Sequence, residues 1–448
     1  MSNNLNRRNF INTLSAAGAG LAIGMPQFSF GYGDDVKPAL LGGPKAHPGE
    51  FPAWPVFTKM EEDGLAHVIQ SRAWGRLDGT VVSSFEKKFR DLLGAPHCVA
   101  VSSGTSALYT MLGALDIGPG DEVIIPPYTF VATYNVVVLN YALPVFVDSD
   151  RESFQMDAGK IEAAITGQTK VIMPVHMGGS PANLDKILEV ANRRKITLIE
   201  DACQAHLAEW HGKKVGNFGR GAAFSFQSSK NLNCAEGGAI ITQDEDFAKS
   251  CYNFHNQGYG VTTTGFNPGA GTRGTNLRLT ELHGSLLISQ MSRVTEQSKL
   301  RSENAAYLTK LFNEIPGIIP AKLYEGTTSS AFHLYMFRYD KNQFAGLSRE
   351  KFVKALSAEG VPCSTGYGKM NKDSYVAGLA QNKHYLKLYG ERTMNDWLAR
   401  NECPQNDILT EEAVWLFQNM LIGPKSDMEQ IATSVRKIQK YAADIAKA

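Results

Sequence analysis

The stretch Ala222-Ala-Phe-Ser-Phe-Gln-Ser-Ser-Lys230-Asn-Leu-Asn-Cys-Ala-Glu-Gly-Gly-Ala-Ile-Ile-Thr242 sets one lysine between two apolar runs. The first run alternates small and aromatic residues as far as Ser225 and Phe226, as a buried strand does; the second, Gly238 to Thr242, is β-branched. Lys230 lies in the polar turn between them, beside Ser225, Ser228 and Ser229 and ahead of Glu236-Gly-Gly238. A lysine held between two buried strands is partly desolvated, which lowers its pKa and makes its amine a nucleophile. Read alone, the same residue is an ordinary solvated turn lysine. The rest of the chain decides between the two.

Upstream, strand and helix patterns alternate. Strands are expected at Cys98–Ser102, Glu122–Ile125, Pro144–Val147, Val171–Met173 and Ile196–Glu200, and helices at Ser106–Leu115, Thr129–Leu139, Ala158–Ile165 and Leu184–Arg194. This rhythm with largely apolar strands predicts an α/β fold, a three-layer α/β/α arrangement around a mostly parallel sheet. Earlier helices are expected over 60–75 and 83–94, the second capped by Ser83 or Ser84. Residues 40–57, containing Pro52-Ala-Trp-Pro55, read as an irregular surface arm.

Downstream, a long helix runs from Leu279 to Phe312, followed by a strand Phe332–Tyr339, a helix Arg349–Glu359 and a last helix from Met428 to about Ile445. The length of 448 residues exceeds one simple core, so a large domain over 35–300 and a smaller C-terminal α+β domain over 301–448 are expected. Residues 366–412 show no clear period.

A formal net charge of +1 with 43% hydrophobic and 20% charged residues excludes a basic nucleic-acid footprint and a disordered chain. Cys98, Cys203, Cys234, Cys251, Cys363 and Cys403 are scattered, without CxxC or zinc spacing, so neither a disulfide framework nor a metal site is expected. The amino terminus reads differently. Asn6-Arg7-Arg8-Asn9-Phe10 is a twin-arginine pattern, followed by a mildly apolar run from Thr13 to Gly24. That run is shorter than the roughly 20 residues a bilayer-spanning helix needs. Residues 1–34 are therefore expected to be a twin-arginine export signal, with a periplasmic or otherwise exported location; the alternative is an amphipathic first helix on a cytoplasmic protein.

Three further stretches carry chemistry. Ser102-Ser-Gly104-Thr105-Ser106 joins a strand to a helix, where free amides and hydroxyls form an anion cradle. Ser225 is placed to add another hydroxyl. Glu200-Asp201-Ala-Cys-Gln204-Ala-His206 begins at the carboxyl end of a parallel strand, the edge where α/β sheets bind ligands. Asp201 is there either a helix cap or the counter-ion of a bound cation such as a pyridinium nitrogen. Tyr128-Thr-Phe130 ends another strand, and its aromatics are either core or a plate for a flat heterocycle. Cradle, plate, acid and lysine together are what pyridoxal phosphate requires.

The chain from about 40 to 440 resembles the DegT/StrS family of sugar and cyclitol aminotransferases, of the aspartate-aminotransferase fold (pyridoxal-phosphate fold type I). The matching segments are SSGTSAL, GDEVIIPPYTFVAT, PVFVD, IEDACQAH, SFQSSKNLNCAEGGA and GTNLRLTEL. The resemblance implies pyridoxal 5'-phosphate bound through a Schiff base to Lys230, which also shuttles the proton. It implies Asp201 on the ring nitrogen, Gln204 near the ring's phenolic oxygen, and Gly104, Thr105 and Ser225 on the phosphate. Phe130 would stack on the ring, with Tyr128 the second choice. Asn276 would reach the phosphate from a neighbouring subunit, implying a homodimer with shared sites.

Relatives that carry histidine in place of the lysine dehydrate; this chain keeps lysine, which implies transamination. Met177–Asn183, Phe226–Lys230 and Glu412–Leu416 look most like enzymes of ketocyclitols such as scyllo-inosose, with L-glutamine or L-glutamate as amino donor. The alternatives are a nucleotide-linked keto sugar as acceptor, or a non-catalytic protein that keeps the cofactor. Leu207, where the family usually has glycine, and Cys234-Ala235 depart from the pattern.

Overall fold

Contiguous apolar residues form strands that are covered on both faces. In the computed structural model, which describes residues 36–260 and 273–448, Glu122–Ile125, Leu143–Phe146, Ala222–Ser225 and Gly238–Thr242 are buried at every position. The expected leader, residues 1–34, lies outside the described residues.

The strands order as Leu143–Phe146, Glu122–Ile125, Thr169–Ile172, Thr197–Leu198 in one ladder, and as Glu200–Asp201, Ala222–Ser225, Gly238–Thr242, His97–Val101 in another. The two ladders are one sheet, because Thr197–Leu198 continues into Glu200–Asp201 through Ile199, whose amide bonds Ile172 O at 3.1 Å. Asp201 in turn bridges to Val175 in the parallel sense. Neighbours pair in parallel except at Gly238–Thr242, which runs against both of its neighbours. Helices Gly104–Ala114, Val131–Leu139, Leu184–Arg194 and Glu245–His255 flank the sheet, completing the α/β/α layers.

Residues 37–448 form one unit. A second antiparallel sheet, Ile318–Pro320, Leu334–Tyr339 and Ala413–Phe417, packs its own apolar core with Phe352, Met428 and Ile431. The helix Glu281–Phe312 joins the two regions: Leu287 and Val294 enter the core of the large sheet, and Leu308 and Phe312 enter that of the small one.

Two details differ from the sequence reading. The helix Val81–Leu93 is capped by neither Ser83 nor Ser84, whose hydroxyls donate back to Thr80 O. Its first amides, Val81 N and Val82 N, are instead met by the Glu281 carboxylate at 2.5 and 3.2 Å, from 200 residues away. Residues 366–412 fold into short helices, including Ser374–Leu379, Lys383–Tyr389, Glu391–Arg400 and Pro404–Glu412. Their Val376, Tyr385, Met394 and Trp397 pack into the core of the large sheet rather than that of the small one. Trp397 Nε1 donates to Pro144 O at 2.7 Å. Within the expected C-terminal domain, this stretch therefore covers the edge of the large sheet.

Candidate active site

The parallel strands deliver their carboxyl ends to one edge, and the motif residues follow directly from those ends. Ser103-Gly104 follows His97–Val101, Phe130 follows Glu122–Ile125, and Lys230 follows Ala222–Ser225. Gly104, Thr105, Phe130, Asp201, Gln204, Ser225 and Lys230 all line one cavity of ≈ 800 Å³. A second cavity, ≈ 880 Å³, opens at the opposite strand ends among Asp116, Lys170 and Arg220, and none of these motif residues lines it.

The cradle is shaped by closeness. A Cβ at Gly104 would stand 2.7 Å from Ser225 Cβ and 2.8 Å from Cys203 Sγ, so only glycine lets these strand ends meet. Ser103 caps the helix by accepting from Ser106 N at 3.0 Å. The amides of Gly104 and Thr105 at the helix start have no intrahelical partner, and both residues line the cavity at the positive end of the helix dipole.

Asp201 is buried, 4% exposed. It accepts from Thr133 Oγ1 at 2.9 Å and from Cys203 N at 3.2 Å, while Thr129 holds Thr133 at 2.9 Å. Among the described residues it has no ion-pair partner within 4 Å, although it faces the cavity. Gln204 is fixed at both ends: its Oε1 accepts from Gly178 N at 2.8 Å and its Nε2 donates to Tyr367 OH at 3.2 Å.

Phe130 is 55% exposed and lines the cavity. Tyr128 does not. It is fully buried beneath the wall and accepts from Trp415 Nε1 at 3.0 Å. Asn276 also lies outside the cavity, on the surface, bridged to Asn256 and accepting from Arg278 N at 3.4 Å.

Burial lowers the pKa of Lys230, and the neighbouring Cys203 and Asp201 offset this only in part. His206, packed on Phe224 and Phe226, is pushed down to about 3 by burial and by the Lys230 charge. Burial drives the Cys203 thiol well above its usual range, so it is an inert neighbour and not a nucleophile. Among the described residues no group of three or more His, Cys, Asp or Glu is placed to hold a metal, and no helix is long and apolar enough to cross a membrane.

The sequence reading missed part of the wall: Trp54 from the arm, His333, Tyr367 and Trp415. The signals in the sequence were the Pro52-Ala-Trp-Pro55 cluster and, for Trp415, the Glu412–Leu416 stretch, neither of which pointed to the cavity. The first marked an irregular arm, and the structure ties that arm down through Trp54 Nε1 to Ser228 O at 3.0 Å and Asn419 Nδ2 to Pro52 O at 2.9 Å.

An amide-and-hydroxyl cradle, an exposed aromatic face, a buried carboxylate lacking a cation and a desolvated amine line one cavity. That donor set fits a flat cationic heterocycle bearing a phosphate, as pyridoxal phosphate is.

The profile of the DegT/DnrJ/EryC1/StrS aminotransferase family matches residues 57–396. The chain is 33% identical over 424 residues to the L-glutamine:2-deoxy-scyllo-inosose aminotransferase of Streptoalloteichus tenebrarius, covering 92% of this chain and 99% of that one. It is 32% identical over 386 residues to the 3-amino-5-hydroxybenzoate synthase of Amycolatopsis mediterranei, covering 86% and 96%. A crystal structure of 3-amino-5-hydroxybenzoic acid synthase superposes with a TM-score of 0.77 at 30% identity, over 89% of this chain and 99% of that one.

Proposed function

From the premise that the chain belongs to the DegT/DnrJ/EryC1/StrS aminotransferase family, and is an aminotransferase, we propose that it moves an amino group from L-glutamine or L-glutamate to the ketone of a cyclitol or free keto sugar, using pyridoxal 5'-phosphate. The observation that carries this reading is the buried Asp201 carboxylate, without an ion-pair partner within 4 Å among the described residues, sharing a cavity with the desolvated Lys230 amine and the Gly104 cradle. The likeness to scyllo-inosose aminotransferases supports a ketocyclitol acceptor and glutamine as donor.

When bound, pyridoxal phosphate supplies the electron sink and the carbon that carries the amino group. The chain's own residues do the rest. Gly104 and Thr105 amides and the Ser225 hydroxyl would hold the phosphate. Phe130 would cover one face of the ring and exclude water from it. Asp201, aimed by Thr133 and the Cys203 amide, would keep a proton on the ring nitrogen through its charge. Gln204, pinned by Gly178 and Tyr367, would meet the ring's phenolic oxygen. Lys230 Nζ, neutral over a wider pH range because it is buried, is the base that takes a proton from one side of the reaction and returns it on the other.

A homodimer belongs to the same proposal: Asn276 of a second copy would complete the cradle. Phe57, Trp74 and Leu77 are apolar side chains left 67%, 53% and 64% exposed, of the kind that a second copy would cover.

We further propose export through the twin-arginine leader. Once outside, the enzyme would lack nucleotide-activated sugars, so a free ring ketone is the matching acceptor. Fusing residues 1–40 to a reporter active only when exported folded tests this; an Arg7→Lys/Arg8→Lys leader that exports as well as the native one contradicts it. The function itself is tested by a half-reaction screen of amino donors, followed by a panel of ketocyclitols, free keto sugars and nucleotide-linked keto sugars. Turnover with glutamine and a ketocyclitol is the expected result. Turnover confined to nucleotide-linked sugars would replace the acceptor assignment, and cofactor binding without turnover would reduce the chain to a binding protein.

A further inference from the structure

The Lys230 amine has a neighbour that the motifs did not single out. Lys230 Nζ lies 3.4 Å from His333 Nε2, brought to it by a strand more than a hundred residues downstream. The other ring nitrogen, Nδ1, lies 3.3 Å from Asn231 Oδ1. Which end of the Asn231 amide faces the ring is fixed independently, because Asn231 Nδ2 donates to Ala331 O at 2.7 Å. An amide oxygen only accepts, so the hydrogen of the imidazole sits on Nδ1 and Nε2 keeps its lone pair. A lone pair is what an amine or ammonium N–H needs opposite it. Asn231 is 3% and His333 6% exposed, so neither exchanges its partner for water.

We propose that His333 is the positioning residue for Lys230: with its tautomer fixed by Asn231, its Nε2 accepts one N–H of the amine and aims Nζ into the cavity. The proposal rests on the reading of Lys230 as the reacting amine. Burial and the nearby Lys230, His206 and Arg301 hold the His333 pKa well below its usual value, so the ring stays a neutral acceptor and does not take the proton itself. Asp201 and Cys203, which face Lys230 from the adjoining strand end, complete its charged and titratable surroundings. Burial alone favours the neutral amine, and an acceptor opposite it favours the ammonium. His333 therefore limits how far burial lowers the lysine, and also sets its direction.

The alternative tautomer would turn an Nε2–H against the amine, leaving two donors face to face in a buried place whenever the lysine is an ammonium and so disfavouring that form. Asn231 prevents this. Its identity matters through the imidazole and not through any contact of its side chain with ligand.

The test uses the full-length chain after removal of the cofactor by dialysis against an amino donor. Acetylation of Lys230 by acetic anhydride is followed across pH by peptide mass spectrometry, with exposed lysines as internal controls. His333→Phe, which removes the acceptor but keeps the bulk, is expected to move the Lys230 midpoint down by about one pH unit. Asn231→Leu, which unlocks the tautomer without touching the ring, should move it in the same direction by less. His333→Gln, which keeps an acceptor oxygen, and Asn231→Asp, which keeps an acceptor for the Nδ1 hydrogen, should not lower it.

An unmoved midpoint in both His333→Phe and Asn231→Leu overturns the proposal, whatever those variants do to the melting temperature. So does an equal downward shift in Asn231→Leu and Asn231→Asp. Because the readout needs no cofactor, it is separable from the function. A pyridoxyl group found on a different lysine would sink the functional reading, and an unmoved midpoint with the pyridoxyl group on Lys230 would sink only the positioning role.

Discussion

Glu200 and Asp201 are chain neighbours at the end of one strand, and their side chains leave it on opposite faces. Behind the strand, Glu200 is fully buried and fully answered. It accepts from Gly216 N at 2.7 Å, from Phe218 N and Gly219 N at 2.8 Å each, and from His176 Nε2 at 3.0 Å. His176 Nδ1 accepts from Ala182 N at 3.0 Å, which places the ring hydrogen on Nε2, toward the carboxylate. In front of the strand, Asp201 has a hydroxyl and one amide, and the rest of its charge faces the cavity. Two adjacent carboxylates thus separate into a structural knot and a site. The knot fixes the loop 216–219 and the strand end, so Asp201 is presented from a rigid backbone.

The comparison breaks most visibly at the knot. Glu200→Ala would leave three amides and an imidazole N–H buried without an acceptor, and a loss of about 3–5 kcal/mol is expected from urea denaturation. Burial raises the Glu200 pKa, but the hydrogen bonds from His176 Nε2 and from the amides of Gly219 and Gly216 outweigh it, leaving the folded value below 4.5. The unfolded chain then binds the extra proton. This contribution to stability is complete above about pH 4.5 and is lost as pH falls through the folded value. A melting-temperature profile should therefore show a steeper acid limb for the native chain than for Glu200→Gln.

Asp201→Ala should do the reverse, lowering turnover at least about 100-fold with little change in melting temperature, because it removes an electrostatic partner of the reaction and no part of the knot. A near-normal rate would make Asp201 only the acceptor that holds the Cys203 amide, in a turn where the structure has no helix for it to cap.

The smallest effect sharpens the account of the supporting turns. Leu207 and Ala235 hold φ of +65° and +75°, a region that favours glycine. This gives a physical reason for the glycine usual at the first position. Leu207 is compensated by burial in the large core, at 5% exposure. Ala235 is exposed and gains nothing in return. Ala235→Gly is expected to stabilise by about 0.5–1 kcal/mol in the same urea measurement.

What the sequence shows of this molecule depends on distance along the chain. Glu122–Ile125, Gly238–Thr242 and Leu184–Arg194 were legible to the residue, because each is a short apolar run or a clean amphipathic period bounded by polar turns. That Gly104, Asp201, Ser225 and Lys230 share one cavity follows the same logic, since each lies at or shortly after a strand end. The break at Ile199 was not legible, since periodicity sees one strand there.

The walls were also hidden. Trp54, His333 and Tyr367 reach the cavity from three separate stretches, and no local pattern says that they meet. The cap of Val81–Leu93 was misread because its acceptor, Glu281, lies far downstream. The stretch 366–412 shows no period because its helices are short and its apolar residues answer to a sheet edge formed more than 200 residues earlier.

The central claim is that Lys230, and no other lysine, is the amine that holds the cofactor. Borohydride reduction of the purified holoprotein followed by peptide mass spectrometry tests it directly. A pyridoxyl group is expected on the peptide that contains Lys230, and none on the same peptide from Lys230→Arg. A pyridoxyl group on any other lysine, or none after reconstitution with pyridoxal phosphate, would contradict it.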